Sequence, residues 1–138
     1  MTRKPSIEKQ LHIQDSFMQS FLHDPKHDHL TDDFRKYFVF PRLQQQNSEG
    51  IIEKEIISED EFVKEVLVKK RVLIYGGYNL GKSTLLKKLF LVLSKDYVPV
   101  FCSISNIHGK NTERMIRNSF EDTYGTETSD YASISFII

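Results

Sequence analysis

The sequence predicts an α/β protein with a three-layer αβα core, in which helices cover a truncated parallel sheet, and a helical segment ahead of that core. The first observation is an apolar run at 72–75 that leads into a glycine-rich loop and then into apolar residues at helical spacing. The second is another apolar run, at 98–104, one helix later. Strand, loop, helix and strand in this order are typical of a parallel βαβ unit, although two core strands make only part of a sheet.

Residues 1–50 are predicted to form a helical N-terminal and linker segment. Ser6 is placed to cap a helix with one apolar face that ends at Asp24 before Pro25, and a short helical turn is expected over 31–37. The polar stretch between them contains possible Zn²⁺ ligands, namely His23, Asp24, His27, Asp28 and His29. Their spacing matches no structural zinc pattern, so a solvated loop is the preferred interpretation.

The chain between this segment and the glycine-rich loop mixes extended and helical signals. Pro41 favours an extended backbone over 38–43, and the polar stretch 44–50 is expected to be a linker. Residues 51–57 alternate enough to form a strand or a docking segment. Ser58 begins a capping box with an acid three residues later, which predicts a helix that leads into the strand at 71. We expect a second segment, a partial domain, over 51–138, and the loop at 76–83 indicates its class.

The loop at 76–83 carries the complete motif G-x-x-x-x-G-K-[ST], the Walker A phosphate-binding sequence. Gly76 and Gly81 would let the backbone curl around a phosphate, and the helix beginning at Lys82 would add its positive end. Lys82 would contact the β- and γ-phosphates, and the Ser83 hydroxyl would bind Mg²⁺. The expected ligands are therefore ATP, or another nucleoside triphosphate, and Mg²⁺. The residues expected to contact the nucleotide are Gly76, Gly77, Tyr78, Asn79, Leu80, Gly81, Lys82, Ser83 and Thr84.

The composition of the chain limits which classes of protein it can belong to. A chain of 138 residues with 39% hydrophobic side chains is ordinary for one soluble domain. Its longest apolar run, 89–93, is far shorter than the ~20 residues of a membrane span, and its N-terminus has no signal-peptide core. The single cysteine, Cys102, cannot form an internal disulfide and is expected to be a small core residue rather than a nucleophile. These features predict a cytoplasmic protein without a membrane partner.

Charge is zero overall but unevenly distributed. Residues 64–95 carry eight Lys or Arg and one Glu, whereas 51–63 carry five acids and one Lys. The basic residues near the loop would steer an anionic nucleotide toward Lys82, although most of them are expected to be solvated helix residues. The neutral total argues against nucleic acid as a partner.

The chain beyond the loop helix is predicted to contain one strand, at 98–104, and one further helix. Asn111 or Thr112 would cap that helix, which Gly125 would end near Tyr124. Residues 134–138 are apolar again.

The stretch from 31 to 124 resembles the STAND group of signal-transducing P-loop NTPases, which includes the NACHT and NB-ARC proteins and has an AAA-like core. The residues that resemble it are Phe-Val-Phe-Pro-Arg-Leu at 38–43, Val-Leu-Ile-Tyr-Gly at 72–76 running into the GKST loop, and Tyr-Val-Pro-Val-Phe at 97–101. The resemblance implies an ATP-binding signalling protein. Because a whole member has an effector domain before the NTPase and sensor repeats after it, this chain would correspond to the N-terminal portion only.

A hydrolysing P-loop enzyme also needs a Walker B acid at the end of an apolar strand. Ile104 is followed by Ser and Asn, and the run 136–138 has no acid behind it. The remaining acids, Glu113, Glu121, Asp122, Glu127 and Asp130, are expected on a helix face or a loop, in solvent. Hydrolysis is therefore not expected of this chain alone, and a missing C-terminal NTPase half or a second copy could complete the site.

Other classes fit the residues less well. The GTPase motif N-K-x-D and an ABC signature are absent, and a small-molecule kinase would need a lid and an acceptor site. Arg114 and Arg117 could act as arginine fingers, but a solvated helix face is the preferred interpretation. The main alternative is a truncated interaction or regulatory fragment that binds no nucleotide, because two core strands would hold the loop poorly.

Overall fold

The computed structural model of the chain describes residues 11–23, 34–103 and 111–125. The helices in these ranges are α1 (Asp15–Leu22), α2 (Phe34–Tyr37), α3 (Glu59–Lys69), α4 (Lys82–Leu93) and α5 (Thr112–Tyr124). Two strands, β1 (Leu43–Gln46) and β2 (Ile52–Ile56), form an antiparallel hairpin.

Helix α1 is shorter than the sequence predicts within the described range. It begins at Asp15, and residues 11–14 are not helical. The reason is a tertiary contact: the backbone N–H of Gln14 donates to the carbonyl of Thr123 at 2.9 Å, and Gln14 itself is extended with ψ 138°. The predicted end is confirmed, because α1 stops at Leu22. Ser6 and the candidate metal residues at 24–29 lie outside the described residues.

The prediction of a polar linker at 44–50 is wrong for its first half. Residues 44–46 belong to β1 and pair with β2, with Leu43 opposite Ile56. The polar side chains are tolerated because this strand alternates between half-buried and exposed positions. The turn is stabilised by Asn47, whose side-chain oxygen accepts from the backbone N–H of Glu49 at 2.9 Å and of Ile51 at 3.0 Å. The hairpin thus spans the position, 50/51, at which we expected the two segments of the chain to meet.

The caps of α3 and α5 confirm the local signals in the sequence. Ser58 accepts from the backbone N–H of Glu61 at 3.3 Å, which is the N-cap half of the predicted capping box. The reciprocal bond is not formed in the described residues, because the Glu61 carboxylate accepts from Lys54 instead. Asn111 accepts from the backbone N–H of Arg114 at 3.1 Å, and Gly125 ends α5 with φ +67°.

Three apolar clusters hold the described elements together. The cluster nearest the loop joins β2, α3 and α4 through Ile56, Phe62, Val66 and Leu85, with Phe38, Phe40, Leu43, Ile74 and Leu89 packed against it. A second joins α1 to α4 through Phe21, Phe90 and Leu91. The third joins the chain before α1 to α5 through Leu11, Val98, Phe120 and Tyr124. Helix α4 is therefore anchored on two sides, which fixes the end of the loop that precedes it.

The two segments expected to be parallel strands are 72–75 and 98–104. Residues 72–75 and 98–103 lie in neither helix nor strand, and residue 104 lies outside the described residues. The hydrogen-bonded sheet of the described residues is the antiparallel hairpin. A strand inside a parallel sheet is covered on both faces, whereas Leu73 is 84% exposed and Tyr75 is also exposed. The described residues therefore do not show the truncated parallel sheet, and the three-layer αβα fold stays a prediction.

Candidate phosphate-binding site

The glycine-rich loop connects the segment 72–75, which is neither helix nor strand, to α4. Residues 72–75 make no backbone hydrogen bond within the part of the chain that the structure describes. One of their side chains, Ile74, packs on the cluster around Leu85, while Leu73 points away from the core. The loop is thus held on its entry side by one apolar contact and by side-chain hydrogen bonds.

Glycine is required at one end of the loop for its backbone conformation. Gly81 has φ +78°, in the left-handed region, and its carbonyl accepts from the backbone N–H of Leu85 at 2.9 Å to begin α4. Gly76 is not left-handed, so its expected role in curling the backbone is not seen. A methyl group on Gly76 would lie 3.5 Å from Leu80 Cδ1, an ordinary van der Waals contact. Asn79 supplies the second left-handed residue of the loop, with φ +59°.

Lys82 folds back across the loop. Its ammonium nitrogen donates to the carbonyl oxygen of Gly76 at 2.9 Å and to that of Gly77 at 2.5 Å. Because Lys82 is the first residue of α4, this contact joins the helix to the beginning of the loop. An ammonium group has three donors, so two bonds to carbonyls leave one for an anion in the loop.

The electrostatics at the start of α4 favour a bound anion. Gly81 provides no side-chain cap, and the first turn contains no acid. The first backbone N–H groups of a helix have no partner within it, and they carry the positive end of the helix dipole. Ser83 and Thr84 are exposed in this turn, and among the described residues the Ser83 hydroxyl has no hydrogen-bond partner. The residues predicted to contact phosphate and Mg²⁺ are therefore accessible.

The hairpin contacts the residue immediately before the loop, which the sequence did not reveal. The Tyr75 hydroxyl donates to Oε1 of Gln46 in β1. In addition, Leu43 of β1 and Ile74 pack against the same cluster. The sequence feature that could have predicted this hairpin is the turn-forming stretch 47–50. It indicates a hairpin only if residues 44–46 are also taken to be a strand.

Several basic residues near the loop are engaged in packing. Lys88 lies 3.6 Å from Glu59 and places its ammonium group 5.4 Å from the ring centre of Phe38. Lys87 lies 5.5 Å from the ring centre of Phe21. The two ring contacts are cation–π interactions, and the Lys88–Glu59 contact is an ion pair between α4 and α3. The expected steering of a nucleotide would rest on the other basic residues.

A network on the outer face of α3 links it to β2. The ammonium group of Lys54 donates to Glu65 at 2.5 Å and to Glu61 at 3.4 Å. Hydrogen bonding to Glu65 raises the pKa of Lys54, and the same bond lowers the pKa of the Glu65 carboxyl. Both partners are thus charged at neutral pH, and the ammonium group of Lys54 is held by two carboxylates of α3.

The candidate catalytic residues of α5 lie in ordinary surface positions. Arg117 pairs with Glu113 one turn away at 2.6 Å, and Arg114, Glu121 and Asp122 are exposed. Glu127 and Asp130 lie outside the described residues, as do Ile104 and the run 136–138. Arg117 is therefore half of an ion pair within α5, on an exposed helix face, and this agrees with the preferred interpretation of this residue as a solvated one.

Buried groups elsewhere in the described chain have structural roles. The Tyr124 hydroxyl donates to the carbonyl of Pro99 at 2.7 Å, and burial raises the pKa of this phenol. Cys102 is half-buried and unbonded to another cysteine.

Among the described residues there is no grouping of His, Cys, Asp and Glu that could hold a metal ion. None of the described helices is long and apolar enough to cross a membrane.

No protein-family model, curated protein or solved structure matches this chain. The likeness to the STAND group thus rests on the sequence segments given above.

Proposed function

We propose that the chain binds ATP together with Mg²⁺ through residues 76–83. The observation that carries the proposal is the position of Lys82, whose ammonium group lies at the mouth of the loop on two carbonyl oxygens. In the proposed complex it keeps a donor for the β- and γ-phosphates while holding the loop closed. The sequence of the loop matches the Walker A motif at every defined position, which supports the same ligand.

Each remaining loop residue has a role in this proposal. The backbone N–H groups at the start of α4 donate to phosphate oxygens, and the uncapped, acid-free first turn favours the negative charge. The Ser83 hydroxyl binds Mg²⁺, which bridges the β- and γ-phosphates. Gly81 lets the chain turn into α4 with φ +78° without a side chain in the path of the ligand.

We further propose that the loop belongs to a STAND-type signalling ATPase and that this chain alone does not hydrolyse ATP. Three of the acids considered as Walker B candidates, Glu113, Glu121 and Asp122, are exposed on α5. The unpaired, exposed segment 72–75 supports an incomplete sheet, because a Walker A strand is normally covered by neighbours. A C-terminal NTPase half or a second copy of this chain is the partner that would supply these neighbours.

One observation favours a second candidate function, a regulatory fragment that binds partners and no nucleotide. Leu73, Tyr75 and Val68 are exposed apolar side chains close together in the sequence. Where such side chains form one contiguous patch, the patch marks an interaction site. Nucleotide binding decides between the two candidates.

The test is titration of the purified chain with ATP in the presence and absence of Mg²⁺ by calorimetry. We expect Mg²⁺ to strengthen binding, and Ser83→Ala to abolish that gain while leaving metal-free binding nearly intact. Ser83→Thr keeps the hydroxyl and is the matched control, so it should retain the gain. Equal Mg²⁺ dependence in all three proteins would leave Ser83 as a helix residue without a metal role.

Binding and hydrolysis should separate in this chain. We expect phosphate release from ATP to remain at background, because no described acid follows an apolar strand. Lys82→Ala is the control for contaminating ATPases. Steady phosphate release that this substitution removes would contradict the account and would place a catalytic acid in this chain, with Asp122 or Asp130 the first to test.

A further inference from the structure

Tyr75, the residue immediately before the loop, is held by a residue outside the Walker A motif. Its hydroxyl donates to Oε1 of Gln46, the last residue of β1. Residues 72–75 make no backbone hydrogen bond within the described part of the chain, so no described strand fixes the entry to the loop. The entry segment also packs on a core cluster through Ile74. The hydrogen bond to Gln46 therefore helps to locate the start of the loop relative to the rest of the fold.

Gln46 is itself fixed in the hairpin. It is followed by Asn47, whose side chain stabilises the turn by accepting from two backbone N–H groups. At the other end of β1, Leu43 packs against the cluster that contains Ile56 of β2 and Leu85 of α4. Because the hairpin and α4 share this cluster, Gln46 and the start of α4 are anchored to the same core.

Lys82 reaches the loop at the residues that follow Tyr75. Its ammonium group donates to the carbonyl oxygen of Gly76 at 2.9 Å and to that of Gly77 at 2.5 Å. Since Gly76 is joined directly to Tyr75, the position of Tyr75 limits where these carbonyls lie relative to α4. A series of contacts thus runs from Gln46 through Tyr75 to the ammonium group of Lys82. A site that is already ordered binds its ligand more tightly, because the ligand does not have to order it.

We propose that Gln46 is a positioning residue for phosphate binding, an inference that rests on the proposed nucleotide binding of the loop. In this role it acts through Tyr75 and not on the ligand, and it keeps the loop entry in the arrangement that Lys82 contacts. The site therefore extends beyond 76–83 to the tip of the hairpin. The contact takes over part of the role that neighbouring strands have where a phosphate loop follows a fully paired strand.

The experiment measures the affinity of the whole chain for ATP and for inorganic tripolyphosphate by calorimetry, with Mg²⁺ present. Gln46→Met keeps the length of the side chain and removes the acceptor, so both affinities should fall about threefold, as expected for the net effect of one hydrogen bond. Tyr75→Phe removes the donor and should have the same effect. The double variant should also lose about threefold and not about ninefold, because the two residues act through one contact. Gln44→Met is the matched control, since Gln44 is exposed on the same face of β1 two residues earlier, and its affinities should equal the parent's.

The same variants separate a positioning role from a purely structural one. Urea denaturation without ligand gives the free energy of unfolding of each variant, and a purely structural contact would change this quantity while the folded chain kept the parent's affinity. Tyr75→Phe removes one oxygen from an exposed side chain and tests the contact if Gln46→Met does not fold. An affinity equal to the parent's in either folded single variant, or a loss of about ninefold in the double variant, overturns the inference and leaves the loop assignment in place. If the parent binds neither ATP nor tripolyphosphate, the proposed function fails, and this inference fails with it.

Discussion

The chain enters the loop 76–83 from the segment 72–75 and leaves it into α4, and the two sides differ in how they are held. On the α4 side, Leu85 is 2% exposed within the cluster that joins β2 and α3. On the entry side, Leu73 is 84% exposed, and the backbone of the segment makes no hydrogen bond within the described residues. The loop thus leads into a well-anchored helix and follows a segment that forms no strand, of which Ile74 alone packs on a core cluster among the described residues.

Lys82 connects the two sides. It belongs to α4, and its ammonium group reaches the carbonyls of Gly76 and Gly77 on the other side of the loop. The contrast shows that packing fixes α4 and the exit of the loop, whereas the segment 72–75 is not covered to the same extent by the described residues. The entry half depends on Lys82, on the Tyr75 contact with Gln46 and on the burial of Ile74.

The largest expected difference between the two sides is in stability, and one leucine on each side of the loop measures it. Leu85→Ala should lower the free energy of unfolding by about 2–5 kcal/mol, because it leaves a cavity in a packed cluster. Leu73→Ala removes the same atoms from an exposed position and should change stability by no more than about 0.5 kcal/mol. Urea denaturation of both variants measures the difference. A large loss for Leu73→Ala would show that the entry segment is buried in solution, against our description.

The two end glycines of the loop give a smaller contrast. Gly81→Ala should destabilise the chain by about 1–2 kcal/mol, since a side chain is strained at φ +78°. Gly76→Ala should cost less, because Gly76 is not left-handed and its new methyl group would meet only Leu80, at 3.5 Å. The thermal unfolding midpoints of the two variants test this order. A greater loss for Gly76→Ala would mean that the entry side is the more tightly constrained one.

Elements with local signals were predictable from the sequence. The Ser58 cap of α3 and the Asn111 and Gly125 ends of α5 depend on residues within one turn, and these caps are found as expected. The left-handed Gly81 follows from the loop motif for the same reason. The candidate site was predictable to this extent because its motif is contiguous.

Features that depend on distant residues were not predictable. The start of α1 is set by a hydrogen bond from Gln14 to Thr123, far along the chain. Strand β1 has three consecutive glutamines, which carry no strand signal, and it forms because β2 pairs with it. Likewise, a continuous apolar run at 72–75 predicts a buried strand only if neighbouring strands are available to cover it.

We propose that Lys82 acts on a bound nucleotide as well as on the loop, and calorimetric titration with MgATP measures this role. The parent should bind, and Lys82→Ala should reduce affinity at least tenfold, or ~1.4 kcal/mol, because it removes the cation placed on the β- and γ-phosphates. Its circular dichroism should match the parent's, since the clusters that anchor α4 do not include this side chain. Equal ATP affinity of the two folded proteins, or no binding by the parent, would contradict the account.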